Sequence, residues 1–155
     1  MTETEAKFLE ELSVRFEEDG EPHIAGLIMG WLLICEPPEQ SFNQLVDELQ
    51  VSKGSVSNMT RHLEYKRLIE KVRKPGERQI YFRIRPSAWE EVMNKHLEIT
   101  RKLYQIAQKG IDLLEHESEE RKQRLMEMRN FFAFASSRIP DLIAEYQNRN
   151  EGSGS

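Results

Sequence analysis

Apolar residues recur at helical spacing along most of the chain. In residues 4–19 they stand three or four positions apart on an acidic background, and residues 23–35 are apolar on nearly every side. Such spacing predicts an exposed amphipathic helix followed by a buried one. Gly20 ends the first helix. In the second helix Gly26 and Gly30 leave one face almost without side chains, so we expect another backbone to pack closely there.

Two short helices joined by a brief turn follow. Ser41 precedes one and Ser52 precedes the other, and a serine there caps a helix by accepting a hydrogen bond from a free backbone N–H. The second of these helices has a predicted buried stripe at Val56, Met59 and Leu63. Two helices this close in sequence form a helix-turn-helix pattern, whose second helix is the one that enters DNA.

A basic β-hairpin is predicted next. Residues 68–73 read as an alternating strand and residues 79–84 as the strand that returns beside it. The segment Lys74-Pro-Gly-Glu77 between them has proline second and glycine third, as a type II turn requires. A hairpin with a basic tip directly after a helix-turn-helix is typical of a wing.

Two long helices are predicted in the remainder. From Trp89 to Leu113 and from Leu125 to Tyr146, apolar residues alternate steps of three and four over about three heptads. We expect these stripes and the first helix to build a homodimer, although an antiparallel hairpin within a monomeric chain would also cover part of them. Pro140 should kink the last helix or end its regular part.

The predicted fold is therefore mainly α with a small β-hairpin wing (α+β): a winged helix-turn-helix with long N- and C-terminal dimerisation helices. We divide the chain into an N-terminal dimerisation helix (1–20), a winged helix-turn-helix DNA-binding domain (21–86), a C-terminal helical dimerisation region (87–148) and a disordered tail (149–155).

Charge is distributed unevenly along the chain. The net charge is −5, but residues 52–85 contain ten basic and three acidic residues and so carry +7, which leaves −12 for the rest. A local positive surface attracts a polyanion, while an acidic remainder limits indiscriminate binding.

Other classes of protein find little support in the sequence. The four histidines are scattered, without metal-ligand spacing, and neither a phosphate-binding glycine loop nor a nucleophile motif is present, so we expect no catalytic residue, metal or cofactor. The longest apolar run is too short to cross a bilayer, and no signal peptide is visible. The single cysteine, Cys35, fits a reducing cytoplasm, where we expect the protein to act.

The candidate DNA-binding residues lie on the second helix of the helix-turn-helix and at the hairpin tip. Asparagine can pair with adenine and arginine with guanine or phosphate, serine can reach either kind of group, and helix N-terminal amides favour a phosphate. The helix candidates are Ser52, Lys53, Gly54, Ser55, Ser57, Asn58 and Arg61. The wing candidates are Lys74 and Arg78. The alternative is that these are ordinary solvent-exposed polar residues.

The sequence resembles a known family over residues 20–86. The run Gly30-Trp-Leu-Leu-Ile-Cys-Glu-Pro-Pro-Glu-Gln-Ser41, with Val51-Ser-Lys-Gly-Ser-Val-Ser57 and Pro75-Gly-Glu-Arg78, is similar to the GbsR-like branch of the MarR regulators. The resemblance implies a cytoplasmic homodimer that binds double-stranded DNA at a pseudo-palindromic operator and controls transcription. It also implies release by a small molecule, whose identity does not carry over.

Two alternatives remain open at this point. Asn58 and Arg61 could contact a protein instead of DNA, which would make the chain a winged-helix protein-interaction module. The aromatic residues Trp31, Trp89, Tyr104 and Phe131 could bind a cationic effector, although core packing explains them as well.

Overall fold

The computed structural model describes the backbone of residues 1–152 and the side chains of residues 1–149. Its elements in chain order are α1 (Glu3–Glu18), α2 (His23–Ile34), β1 (Gln40–Ser41), α3 (Phe42–Leu49), α4 (Lys53–Tyr65), β2 (Ile69–Arg73), β3 (Ile80–Ile84), α5 (Ala88–Leu113) and α6 (Glu119–Gly152). The chain divides into two compact units, Met1–Ala88 and Trp89–Ser155. The predicted class, mainly helical with a small antiparallel sheet, is confirmed.

Helices α1 and α2 pack with almost no space between their backbones. A methyl group added at Gly26 would lie 2.5 Å from Ser13 Cα, and one at Gly30 would lie 3.1 Å from Leu9 Cγ. Ser13 is fully buried, and its hydroxyl donates to the Leu9 carbonyl at 2.8 Å. The two glycines therefore have the packing role that their spacing predicted.

Capping serines begin both helices of the helix-turn-helix. Ser41 Oγ accepts from Gln44 N at 3.2 Å, and the Gln44 side chain accepts from Ser41 N at 2.8 Å, which completes a capping box. Ser52 Oγ accepts from Ser55 N at 3.0 Å. Between the helices Gln50 takes a left-handed conformation with φ 53°, which ends α3 and turns the chain into α4.

The sheet has three strands in the order β1-β3-β2, all antiparallel. The sequence predicted the hairpin of β2 and β3, and the structure adds a third strand to it. The additional strand, β1, is two residues long and pairs Gln40 with Phe82 and Ser41 with Tyr81. It encloses β3 on its second edge and ties the start of the helix-turn-helix to the wing.

The core of the first unit is a continuous hydrophobic cluster that every one of its helices and both long strands enter. Its fully buried members include Leu9, Ile28, Leu45, Val56 and Leu63. Cys35 lies at the edge of this cluster, and burial raises the pKa of its thiol to about 11, so the thiol is neutral and weakly nucleophilic near pH 7.

The second unit consists of α5 and α6. At Gly110 the two helices approach closely, because an added methyl would lie 2.9 Å from Leu125 Cδ1. Phe132 and Ile139 are half-buried, whereas Leu142 and Tyr146, predicted in the same stripe, are exposed.

Helix α6 is longer than the sequence predicted. Of the two outcomes expected at Pro140, a kink or an end of the regular helix, the second does not occur, since the helix continues through Pro140 to Gly152. The helix therefore also enters the segment predicted as a disordered tail, and the last part of that segment, residues 153–155, lies outside the described residues.

Large apolar side chains remain exposed on the helices of the second unit. On α5 these include Val92, Ile99, Ile106 and Leu113, which are seven residues apart and so share one helix face. On α6 they are Phe131, Phe134, Leu142 and Tyr146. Part of the heptad stripe predicted from Trp89 to Leu113 is thus exposed in this single chain, while Gly110 of the same stripe packs against Leu125 of α6.

Candidate nucleic-acid interface

The N-terminus of α4 is an exposed, capped helix end. Ser52, Lys53 and Gly54 are exposed, and Ser55 is half-buried. Ser52 Oγ lies 2.9 Å from Ser55 Oγ in addition to accepting from the Ser55 amide. The Ser52 hydroxyl oxygen therefore caps the N-terminus of α4. The remaining amides of the first turn have no acceptor within the helix and point toward any approaching phosphate.

A polar stripe runs along α4 from this end. Gly54, Asn58, Arg61 and Tyr65 are all exposed, and their spacing of four, three and four residues places them on one face. Ser57 is half-buried beside them. The predicted helix candidates therefore lie together on one continuous surface.

Tyr65 extends the stripe to the C-terminal end of α4 and is 86% exposed. An exposed tyrosine presents both an aromatic ring and a hydroxyl donor, which suits contact with a phosphate or with a base edge. Tyr65 is not among the candidate residues predicted from the sequence.

The opposite face of α4 anchors the helix in the core. Val56 and Leu63 are fully buried and Met59 is half-buried, as the predicted stripe required. Thr60 is also buried, which the sequence did not reveal because its hydroxyl is polar. That hydroxyl donates to the Val56 carbonyl at 2.8 Å, so its burial leaves no hydrogen bond unmade.

A carboxylate fixes the C-terminal end of α4. Glu21, between α1 and α2, lies 2.8 Å from His62 Nε2 and also pairs with the Lys66 ammonium group. The Glu21 side chain is only 13% exposed. Both partners are more than forty residues away in sequence, so no local pattern could have identified this contact. The contact fixes the orientation of α4.

The basic residues of the segment 52–85 fall into two groups. Several are paired with carboxylates: Lys66 with Glu21, Lys71 with Glu64 at 3.0 Å, and Arg83 with Glu70 at 2.7 Å. Among the described side chains, those without an ion pair are Lys53, Arg61, Arg73, Arg78 and Arg85. The second group keeps its charge available to a phosphate, so the effective positive surface is narrower than the count of basic residues suggests.

The wing tip has the turn that its sequence predicted. Gly76 has φ +80°, a conformation that other residues rarely adopt, and the Glu77 amide donates to the Lys74 carbonyl at 3.1 Å. Arg78 follows directly and is exposed. The hairpin therefore presents the unpaired guanidinium group of Arg78 close to its tip.

Lys74, the other wing candidate, is engaged within the protein. Its ammonium group lies 3.8 Å from a carboxylate oxygen of Glu39 and 4.3 Å from the ring centre of Tyr81. The Tyr81 hydroxyl donates to Glu77, and this hydrogen bond raises the pKa of Tyr81 above its ordinary value. The two predicted wing residues thus differ in how readily they can meet DNA.

The predicted aromatic residues do not all remain available to a ligand. Trp31 is 9% exposed, belongs to the core of the first unit and donates from Nε1 to Gln40 at 3.3 Å, so core packing explains it. Trp89 is exposed and lines a groove of 330 Å³ within the second unit. The groove is lined by Trp89, Glu90, Met93, Leu142, Ile143 and Tyr146.

Clusters that could hold a metal ion and helices that could span a membrane are absent from the part of the chain that the structure describes. No three His, Cys, Asp or Glu side chains of that part are grouped so as to hold a metal ion. Of the helices described there, none combines the length and apolar character that a membrane span needs.

Comparison with known proteins identifies the family. A family model described as an MmpR5-like MarR family transcriptional regulator matches residues 87–149. The HTH-type transcriptional regulator MmpR5 of Mycobacterium tuberculosis is 32% identical over 143 residues, which cover 92% of this chain and 87% of that protein.

Solved structures add the fold. The crystal structure of a transcriptional regulator has a TM-score of 0.73 at 30% identity, and the match covers 94% of this chain and 99% of the other. A MepR mutant of S. aureus bound to an oligodeoxyribonucleotide has a TM-score of 0.46 at 21% identity and covers 85% of this chain and 90% of the other. The chain belongs to the MmpR5-like MarR family of winged-helix, DNA-binding transcriptional regulators, which is not a class of enzymes.

Proposed function

We propose that this protein acts in the cytoplasm as a homodimer that binds a pseudo-palindromic operator, with α4 in the major groove. The observation that carries the proposal is the division of the basic residues. Arg61 and Lys53 are exposed on α4, whose opposite face is buried in the core, and neither forms an ion pair among the described side chains. Other cations of the same segment are paired with carboxylates. The narrower placement in the GbsR-like branch stays a prediction from the sequence.

The roles of the α4 residues follow from their positions. Asn58 and Arg61 lie in the middle of the exposed stripe, where a helix seated in the major groove meets base edges, so we assign them to base reading. Ser52, Lys53, Gly54 and Ser55 lie at the helix N-terminus. We assign them to the phosphate backbone.

Ser57, at the side of the stripe, is assigned to a base edge or a phosphate, since a hydroxyl group suits either one.

In the wing we assign the larger contribution to DNA binding to Arg78. It is exposed and unpaired among the described side chains, whereas Lys74 has to leave Glu39 before it can meet a phosphate. A guanidinium group at a hairpin tip can enter a minor groove or contact the phosphates on either side of it.

The homodimer is supported by the uncovered apolar surface of the long helices. Ile106 is 57% exposed and Leu113 is 84% exposed on the heptad face of α5. Exposed apolar side chains in a contiguous row mark protein interfaces, since water contact there costs free energy that a partner surface removes. Phe8 and Val14 are exposed on α1, so this helix can take part, as the sequence predicted.

Release by a small molecule is a second element of the proposal. The groove of the second unit combines two aromatic side chains, Trp89 and Tyr146, with the carboxylate of Glu90. Aromatic faces beside a carboxylate suit an organic cation. A thermal-shift series with tetraalkylammonium salts tests this: stabilisation that Glu90→Gln reduces is expected, and its absence at every concentration contradicts a cationic effector.

The protein-interaction alternative predicts a different result for DNA. In that case binding to any duplex is weak, non-specific and lost at moderate salt, because only the general charge of the segment contributes.

The experiment that decides is selection of bound sequences from a random duplex library at about 0.15 M salt, where weak surface electrostatics are screened. We expect an inverted repeat with half-sites about one helical turn apart. A library that shows no enrichment contradicts sequence-specific binding. A single half-site contradicts the dimer on DNA.

A further inference from the structure

Glu39 occupies a central position in the charge pattern of the wing. It directly precedes β1, and since Gln40 pairs with Phe82, the antiparallel register brings Glu39 opposite Arg83. On the other side of β3, Glu70 is the register partner of the same arginine. Three neighbouring strands thus bring two carboxylates to one guanidinium group.

The two carboxylates hold that guanidinium group very differently. Glu70 Oε1 lies 2.7 Å from Arg83 Nη2 and 2.8 Å from Arg83 Nε, which is a short, charge-assisted contact. Glu39 Oε1 lies 3.8 Å from Arg83 Nη1. The charge of Arg83 is therefore already neutralised by Glu70, and the longer contact with Glu39 adds little to its stabilisation.

The other oxygen of Glu39 faces the wing tip. Glu39 Oε2 lies 3.8 Å from Lys74 Nζ, and this is the carboxylate contact of Lys74 among the described side chains. The side chain of Lys74 is 32% exposed and that of Glu39 is 23% exposed. A long contact between partly exposed groups contributes little stability and exchanges readily with solvent or with another anion.

We propose that Glu39 acts as an internal competitor for DNA phosphate at Lys74. Without DNA, the carboxylate neutralises Lys74 and keeps it above the Tyr81 ring. On the operator, a phosphate has to displace Glu39 before Lys74 adds to binding. Glu39 thereby lowers the affinity of the wing for every duplex, which favours release from non-specific sites. This inference rests on the proposed binding of α4 and the wing to DNA.

The test measures binding of the full-length protein to its selected operator and to an unrelated duplex across a salt series. Glu39→Gln removes the charge at nearly constant shape. We expect affinity to rise about two- to fivefold for both duplexes, because a weak ion pair no longer competes. The slope of log K against log salt should steepen by at most about 0.9, the value for one complete phosphate contact, because in the wild-type complex Glu39 still occupies Lys74 part of the time.

A matched control separates this effect from a general loss of negative charge. Glu36 lies in the same loop, is exposed and forms no ion pair among the described side chains. Glu36→Gln should leave the salt slope unchanged. In a Lys74→Ala background Glu39→Gln should give no further gain, since the cation that it releases is absent. Circular dichroism and thermal melting of each variant report that the fold is kept.

The outcomes distinguish the two levels of the argument. If the wild-type protein binds the operator but Glu39→Gln behaves like Glu36→Gln, or keeps its full effect without Lys74, Glu39 is not a competitor and the inference is overturned while the proposed function stands. If the wild-type protein binds neither duplex, both fail together.

Discussion

The two units of this protein expose different kinds of surface. In Met1–Ala88 most large apolar side chains enter one core, although Phe8 and Val14 of α1 stay exposed, and the outer face of α4 is polar and cationic. In Trp89–Ser155 the helices keep rows of apolar side chains exposed, and the buried hydrophobic residues among those described are Leu97 and Ala107. The surface of α4 in the first unit is the one that we propose binds DNA. The apolar rows of the second unit are the surface that we propose a partner chain covers.

This difference shows why one chain can combine two kinds of binding. A cationic surface attracts DNA through charge and is weakened by salt. An apolar surface attracts a partner through release of water and is little affected by salt. The two surfaces can therefore be disturbed separately, and each prediction below alters one of them.

The largest effect is expected from a charge on the apolar face of α5. Ile106→Glu places a carboxylate where we propose that the partner chain packs, and burying an unpaired charge is far more costly than exposing it. We expect the dimer dissociation constant to rise more than about a hundredfold, equivalent to about 3 kcal/mol. Sedimentation velocity over a range of concentrations measures it.

The neighbouring position supplies the control for this change. Gln105 is exposed on α5, and Gln105→Glu adds the same charge outside the apolar row. It should leave the dimer intact. An unchanged molecular mass for Ile106→Glu would remove this face of α5 from the interface.

The next effect concerns how tightly each unit is packed. Gly26→Ala should lower the free energy of unfolding by about 1–3 kcal/mol, because the new methyl lies 2.5 Å from the Ser13 backbone and α1 has to move. Gly110→Ala in the second unit should stay within about 1 kcal/mol of the wild type. There the closest atoms are the flexible ends of Leu125, and alanine also favours the helix. Urea unfolding followed by circular dichroism compares the two.

A Gly110→Ala cost equal to that of Gly26→Ala would contradict the looser packing of the second unit. A Gly26→Ala protein as stable as the wild type would mean that α1 can shift on α2 without loss, and the close approach of the two helices would then contribute little to the core.

The sequence predicted what is encoded locally. Ser41 and Ser52 predict the starts of their helices because each serine caps its helix through a hydrogen bond only three residues away. Pro75 and Gly76 predict the turn from two adjacent residues. The candidate site on α4 followed from one helical period. These features need no information about the remainder of the chain.

Features that depend on distant residues were missed. Strand β1 is two residues long and forms only by pairing with β3 some forty positions later, so its own pattern carries no signal. The contacts of Glu21 with His62 and of Glu39 with Lys74 join equally distant segments. Because such pairs neutralise part of the basic segment, the charge count overstated the surface that is free to meet DNA.

Pro140 was expected to kink α6 or to end its regular part, because proline removes one helical hydrogen bond, and the helix continues through it. Proline removes a single backbone hydrogen bond, whereas the other backbone hydrogen bonds of this 34-residue helix stabilise it on both sides of Pro140.

On the cationic surface the larger effect is expected from Arg61. Arg61→Ala should cost about 1–3 kcal/mol of operator binding and relax the preference at one base position if the side chain reads a base. If it contacts only phosphate, affinity should fall equally for all duplexes and the salt slope should decrease. Fluorescence anisotropy with the selected operator and single-base variants distinguishes the two.

Lys71→Ala, which removes a paired cation, is the matched control. Equal losses of operator affinity in Arg61→Ala and Lys71→Ala would contradict the division into free and paired cations.

The smallest effect, and the one that best separates fold from function, is expected at Gly54. A methyl there would lie 3.8 Å from Ser52 Oγ, an ordinary contact, and the position is exposed at the start of α4. Alanine in a helix is favoured over glycine by about 0.5–1 kcal/mol, so Gly54→Ala should make the isolated protein slightly more stable. If the helix end approaches the DNA backbone as closely as we propose, the same methyl should weaken operator binding severalfold. Thermal melting and anisotropy on one preparation measure both quantities. A variant that is more stable and binds normally would mean that the N-terminus of α4 stands farther from DNA than its amides require, leaving Asn58 and Arg61 to bear the contact.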